Sequence, residues 1–299
     1  MRKIQVFDMS LPGVYKTNKK DGSIYYRASI TYKSKHISLG GFHSVVYANL
    51  AYEIATDVLR LNRYKIKDYM SKHYPLKQKT NGHDISLSSI EQNLNESLIS
   101  IDKCIPFDKW ITLHNFRDNG IYIKTPIYLK DRYFIYYLDQ TILLKFDIDD
   151  LFFYAHHKIM KRGGYLFVSD YGMQINVLSR YGIRNFSVKG RDYRFINGDE
   201  FDFRYSNIEV INPYYGVQKS ICNGKVIYTA KININGDYII GRYPTEIEAA
   251  IAYNKAINCL KSKLSKDYIE NYIHDIDDIE YAKIYNKIRI SKKIRDYLN

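Results

Sequence analysis

Three cysteines, six prolines and one tryptophan among 299 residues are what this chain has least of. Cys104, Cys222 and Cys259 stand far apart with no CxxC pair. That excludes a disulfide framework and a zinc ribbon as sequence-level readings, and suits a reducing compartment. Long apolar runs are missing too: none could span a bilayer as a helix, and the opening MRKIQVFDMSLPG has no signal-peptide core. The expectation is an intracellular protein with no membrane partner, its place in a nucleoid, a nucleus or a virus-infected host cell left open. Acidic charge is short as well. Lys and Arg number 45 against 32 Asp and Glu, a net charge of +13.

What is present points to folded domains. A hydrophobic content of 45% with 15% aromatics argues against disorder, and the length allows two or three cores. The positive charge is uneven. Residues 1–80 hold 15 basic against 5 acidic groups, residues 283–299 hold 6 against one, and the stretch between is close to neutral. Basic ends around a neutral middle form an electrostatic footprint for a polyanion.

The ends also repeat each other. GVYKTNKKDGSIYYRASITYKSKHISLGGFHSVVYANLAYEIA runs from Gly13 to Ala55, and GVQKSICNGKVIYTAKININGDYIIGRYPTEIEAAIAYNKA from Gly216 to Ala256. The common frame is GV-x-K, then Y-x-A-x-I, then an apolar residue, Gly, any residue and an aromatic, then A-Y-x-x-A. Two copies so far apart are duplicated domains rather than a solenoid. Tyr26, Ala28 and Ile30 alternate with Arg27, Ser29 and Thr31, and Tyr228, Ala230 and Ile232 with Thr229, Lys231 and Asn233, the period of a half-buried strand. Asp21-Gly22, Asn223-Gly224 and Asn235-Gly236 mark turns. Ser44 and Thr245 stand as helix N-caps, with Glu248 placed to complete a capping box. Val45, Ala48, Ala51, Tyr52 and Ala55 form an apolar helical stripe whose alanines allow close packing on a sheet. Each copy therefore reads as three short strands and one helix.

In the order of these landmarks both copies resemble the Apetala-2/ethylene-response-factor DNA-binding domain. That resemblance implies a helix bracing a three-stranded antiparallel sheet whose open face enters the major groove of double-stranded DNA. Carried over by position, the reading face would be Tyr15, Thr17, Arg27, Ser29, Thr31, His36 and Ser38 in the first copy. In the second it would be Gln218, Ser220, Thr229, Lys231, Asn233, Asp237 and Ile239. Lys16, Lys19, Lys20, Lys33 and Lys35 would lie beside the first face, where phosphates run. Arginine and tryptophan dominate these positions in the plant family, and their replacement here means that the plant target sequence does not transfer.

Between the copies, TILLKFDIDDLFF, KRGGYLFV, QINVLSRYGI and FINGDEFDFRYSNIEVIN follow one another in residues 141–212. This succession resembles HNH (His-Me finger) nucleases of the homing-endonuclease type. The resemblance implies a ββα unit in which a histidine acts as general base beside one divalent metal. Those side chains are missing here. The motif's Asp-His pair is Arg194-Phe195, a later asparagine is Phe203, and the upstream histidine is Ser179 before Arg180. His156-His157 is the one adjacent pair that could substitute, but neighbouring side chains diverge on a strand and on a helix alike. No catalytic residue, metal ligand or cofactor is assigned.

The expected architecture is α+β: two small three-stranded antiparallel sheet-plus-helix modules (1–75 and 213–264) flank a degenerate ββα, HNH-like domain (141–212). Residues 76–140 hold a polar linker KQKTNGHDISLSS, a short helix around Ile90–Ile101, and strand-like runs at Ile121–Ile127 and Tyr133–Leu138. Residues 265–299 read as a basic helical tail with Ile269, Ile273, Ile276, Ile279, Ile284 and Ile288 as partial apolar stripes. It is a candidate phosphate-contacting arm or homodimer element. Three functions stay open: a sequence-specific, catalytically inactive DNA-binding regulator derived from a homing endonuclease, an active endonuclease with displaced residues, and a non-specific DNA-organising protein.

Overall fold

The computed structural model describes residues 11–18, 22–71, 73–75, 98–261, 264 and 266–297. The chain divides into two compact units, Met1–Ile159 and Met160–Asn299. No helix of the described residues is long and apolar enough to cross a membrane.

The first unit opens with β1 (Val14–Asn18), β2 (Ile24–Tyr32) and β3 (Lys35–Phe42), antiparallel in the order β1-β2-β3, followed by α1 (Val45–Leu59). Alternation turns Ala28, Ile30, Ile37 and Leu39 toward the helix, where all are buried. Ala48, Ala51 and Ala55 meet them without protruding. Ser44 caps the helix, its hydroxyl accepting from the Val46 N–H at 3.2 Å. The expected turn residue Asp21 lies outside the described residues, as do Lys19 and Lys20.

After α2 (Asp68–Ser71), β4 (His73–Pro75) pairs with β5 (Leu98–Ser100), and α3 (Phe107–Asn119) follows. The KQKTNGHDISLSS linker and most of the helix expected around Ile90–Ile101 lie outside the described residues. Its end is corrected: residues 98–100 form a strand. Helix α3 joins the core of the first module, burying Trp110, Ile111, Leu113 and Phe116 with the α1 alanines. The Trp110 indole N–H donates to the Ile66 carbonyl at 3.0 Å. Residues 107–119 are therefore a structural part of the first body.

Another three-stranded antiparallel sheet comprises β6 (Ile127–Leu129), β7 (Tyr133–Tyr137) and β8 (Leu143–Asp147), with α4 (Leu151–His156) after it. Phe134, Phe146 and Tyr154 are fully buried there, with Phe146 and Tyr154 ring centroids 4.3 Å apart. The strand expected at Ile121–Ile127 begins only at Ile127, whereas β7 falls within the strand-like run Tyr133–Leu138. Because β8 pairs with β7, a boundary at 141 would cut this sheet between neighbouring strands.

The second unit begins within β9 (Ile159–Arg162), which forms a sheet with β10 (Tyr165–Asp170) and β11 (Met173–Asn176) in the order β11-β10-β9. Then β12 (Tyr193–Phe195) pairs with β13 (Ile208–Val210). Of the range 141–212 expected as one ββα domain, β8 and α4 lie in the first unit, and residues 160–212 carry strands with 3-10 turns at Val177–Tyr181 and Tyr205–Asn207 and no α-helix. The β12–β13 connection is held from within instead. The Asn207 side-chain amide donates to the carbonyls of Asp199 and Asp202, and its oxygen accepts from the Asn197 N–H.

The second module follows as β14 (Val217–Cys222), β15 (Lys225–Asn233), β16 (Asp237–Tyr243) and α5 (Glu246–Leu260), in sheet order β14-β15-β16. Thr245 caps α5, accepting from the Glu248 N–H at 3.2 Å. Glu248 Oε2 is buried with no hydrogen-bond partner, so the reciprocal arm of the expected capping box is not made. The tail differs more. Residues 266–277 are not helical, and α6 (Asp278–Lys287) and α7 (Lys292–Arg295) are the helices that form. Ile273 and Ile294 are buried in the module's core, and Ile276, Ile284 and Ile288 pack against it, while Ile269 and Ile279 stay exposed. The Lys255 ammonium donates to the Tyr285 and Ile288 carbonyls, and the Ser291 N–H to the Ile240 carbonyl at 2.8 Å. The tail is a lid on α5 and β16 rather than a free arm, and 264 is not a domain edge.

Candidate nucleic-acid interface

The repeated frame has a geometric cause visible twice. Gly13 and Gly216 begin the two sheets with φ of 69° and 70°, the left-handed region. A Cβ at Gly13 would stand 2.1 Å from the Tyr52 ring, and one at Gly216 2.3 Å from the Tyr253 ring. The glycine carbonyl takes a hydrogen bond from the middle strand, from the Ser29 N–H at 2.9 Å in one copy and the Lys231 N–H at 2.7 Å in the other. At that point each sheet carries a register shift, between Ala28 and Ser29 and between Ala230 and Lys231. Glycine, helix tyrosine, middle strand and the bulge of the third strand, at Leu39 in one copy and Ile240 in the other, thus form one interlocked unit. The shared letters G, A and Y hold the sheet against its helix and leave the opposite face to vary.

That opposite face carries most of the candidate residues. In the first copy Tyr15 pairs with Arg27 and Thr17 with Tyr25 across β1 and β2, while Ser29 pairs with Ser38 and Thr31 with His36 across β2 and β3. Cross-strand partners share a face. Tyr15, Arg27, Thr31, His36 and Ser38 are exposed and Thr17 is half-buried. The Arg27 Nε donates to the Tyr25 hydroxyl at 3.0 Å, and its guanidinium lies 5.5 Å from that ring's centroid. Lys16 falls on the helix side of β1 by alternation and is exposed there. Lys33 and Lys35 flank the β2–β3 turn, both exposed.

In the second copy Gln218 pairs with Thr229, Lys231 with Ile239 and Asn233 with Asp237. Ser220, Asn233, Asp237 and Ile239 are exposed, Gln218 and Lys231 half-buried. The Lys231 ammonium donates to Gln218 Oε1 at 3.1 Å, and the Asn233 amide to Asp237 Oδ1 at 2.9 Å. These contacts take up part of the hydrogen-bonding capacity of the second face.

Two candidates need correction. Ser29 is 8% exposed and Thr229 9% exposed, so neither offers its side chain freely to a ligand. Both lie on the middle strand, and the strands on either side leave a short side chain there little access to solvent. Conversely, sequence reasoning missed Arg242. It pairs with Thr229 across β15 and β16 and is exposed, whereas the corresponding pair in the first copy is Arg27 with Gly41. Each sheet thus has one arginine in the same cross-strand pair, on opposite strands. The repeat frame hid this because it treats the position after the β16 glycine as unrestricted. Comparison with known families, curated proteins and solved structures finds no match.

The positions that would carry nuclease chemistry have other occupations. Phe203 is buried against the Tyr181 and Phe195 rings. Arg194 pairs with Glu209 across the β12–β13 ladder, and the Ser179 hydroxyl donates to the Asn176 carbonyl. Asp202 receives two hydrogen bonds from the Arg204 guanidinium, at 2.8 and 2.6 Å. Burial works to raise its carboxyl, but the bonds from Arg204 outweigh that and hold it below the usual carboxylate range. His156 and His157 each bond through Nδ1 to the carbonyl four residues earlier, and His157 stacks on Phe153 at 4.2 Å. Among the described residues no group of three or more His, Cys, Asp or Glu side chains is arranged to hold a metal ion.

Proposed function

We propose that this chain is a sequence-reading double-stranded DNA-binding protein, a regulator or repressor built from two sheet-reading modules on a nuclease-like ancestor that no longer cuts. One observation carries the reading. Two copies keep the same glycine–tyrosine–bulge lock on the helix side, while their open faces present different side chains, each with an arginine in the same cross-strand pair. A three-stranded ribbon of this kind fits the major groove, where Arg reads guanine bidentately and short polar side chains read other edges. Exposed Lys33 and Lys35 suit phosphate contacts around the first sheet, whereas Lys16, expected beside that face, lies on the helix side. Most of the tail's apolar side chains are packed on its own module, so a homodimer through it is not part of the proposal.

Fluorescence anisotropy with a labelled duplex tests the reading. Binding is expected to weaken steeply with salt, log K falling against log salt with a slope of about −0.9 for each phosphate neutralised. A flat response would remove DNA as the partner. The same protein is expected to leave supercoiled plasmid intact in millimolar Mg²⁺ or Mn²⁺. Cleavage that disappears on mutating His156 or His157 would establish the endonuclease alternative instead.

A further inference from the structure

Phe186 is 98% exposed and holds a backbone φ of 68°. A bulky side chain in that region is an outlier, because its Cβ crowds the backbone where glycine would not. The residue stands third in a tight turn closed by the Ser187 N–H bonding the Arg184 carbonyl at 3.2 Å, the position that turns with a positive φ normally give to glycine. Neither the exposure nor the backbone conformation helps the fold.

The turn is nevertheless firmly mounted. The Arg184 guanidinium lies 4.4 Å over the Tyr215 ring and donates to the Asn212 carbonyl at 2.9 Å. Asn212 is itself a buried hub. Its amide nitrogen donates to the Arg191 carbonyl and Asp192 Oδ1, and its oxygen accepts from the Lys219 N–H in β14 at 2.8 Å. On the other side of Phe186, the Asp192 carboxylate accepts from the Val188 N–H at 2.8 Å. An exposed aromatic ring is thus carried on a rigid turn fastened to the edge strand of the second sheet.

We propose that Phe186 is a wedge that enters the base stack of duplex DNA beside the groove occupied by the second sheet. The inference rests on the DNA-binding reading above. Apolar side chains inserted at a base step unstack it and kink the duplex, and a rigid mount keeps the ring in place as the stack opens. The attachment to β14 favours the same duplex over a separate protein partner, because a sheet seated in the groove brings its edge strand, with exposed Lys219, to the backbone.

The test uses duplexes that the wild-type protein recovers from a random pool, probed with permanganate, which oxidises unstacked thymines. The wild type is expected to produce a hyper-reactive step at one edge of the protected region. Phe186→Gly removes the ring and suits the backbone, so it should melt at a higher temperature than the wild type. It should nonetheless lose the hyper-reactive step and bind about tenfold more weakly. Phe186→Trp should keep the step. If the wild type protects DNA with no hyper-reactive step, or Phe186→Gly keeps it, the wedge is wrong and the DNA-binding reading stands. If no duplex is recovered at all, both fall.

Discussion

Gly216→Ala would push a methyl group into the Tyr253 ring and the Lys231 carbonyl, each 2.3 Å from the added carbon, with the backbone at φ 70°. Strain and overpacking together should cost about 2–4 kcal/mol, read by urea unfolding of the full chain. Gly224→Ala meets no atom within 4 Å, so only its φ of 75° is penalised and the loss should be smaller. Equal losses would mean that the glycine–tyrosine lock is not what the repeat preserves. Asp202 gives a second test at this scale. Its carboxyl is held below its unfolded value, so its stabilisation is full above the ordinary carboxylate range and drains away as pH falls through the folded value. Asp202→Asn should therefore cost about 1–3 kcal/mol at neutral pH and progressively less on acidification. A difference that does not shrink at low pH would place the effect in packing rather than charge.

The elements differ in how readily the sequence shows them, and the reasons are physical. Strands β2 and β15 are legible because one face is buried and the other open, which forces an apolar–polar alternation. Asn223-Gly224 is legible because a two-residue hairpin turn needs positive φ at both places, here 50° and 75°. Helix α3 escapes because every residue from Trp110 to Phe116 is buried, polar Thr112, His114 and Asn115 included, so no amphipathic stripe remains. The tail misleads in the opposite way. Its isoleucines suggest a helix from residue 265, but the stretch before α6 is held by side-chain amides: Asn254 Nδ2 donates to the Asn271 carbonyl and Asn254 Oδ1 accepts from the Asn271 N–H. Ending the chain at 264 should consequently destabilise the second module, with loss of its cooperative melt, instead of leaving a folded module stripped of a basic arm. A sharp, unshifted transition after truncation would show the tail to be dispensable. Of the candidate site, the face was legible by alternation. Arg242 and the shielding of Ser29 and Thr229 were not, because both follow from strand pairing.

At the scale of the whole molecule, two of the three cysteines act as built-in reporters. Cys104 is buried, and burial pushes its thiol up to about 12, so it should stay inert to a thiol reagent in the folded protein. Cys222 is exposed at the end of β14, on the open face of the second sheet by alternation from Gln218 and Ser220. It should react quickly in the free protein and slowly when duplex DNA is bound. Equal rates with and without DNA would take the second sheet off the interface. The central claim, that two unequal faces read two parts of one site, is tested most directly by selection from a random duplex pool. It should be run in parallel with the wild-type chain, Arg27→Ala and Arg242→Ala. The wild type should enrich a composite motif, and each variant should lose preference in a different part of it, by about 1–3 kcal/mol if the arginine contacts a base. Flat enrichment by the wild type, or loss of the same bases in both variants, would contradict the claim.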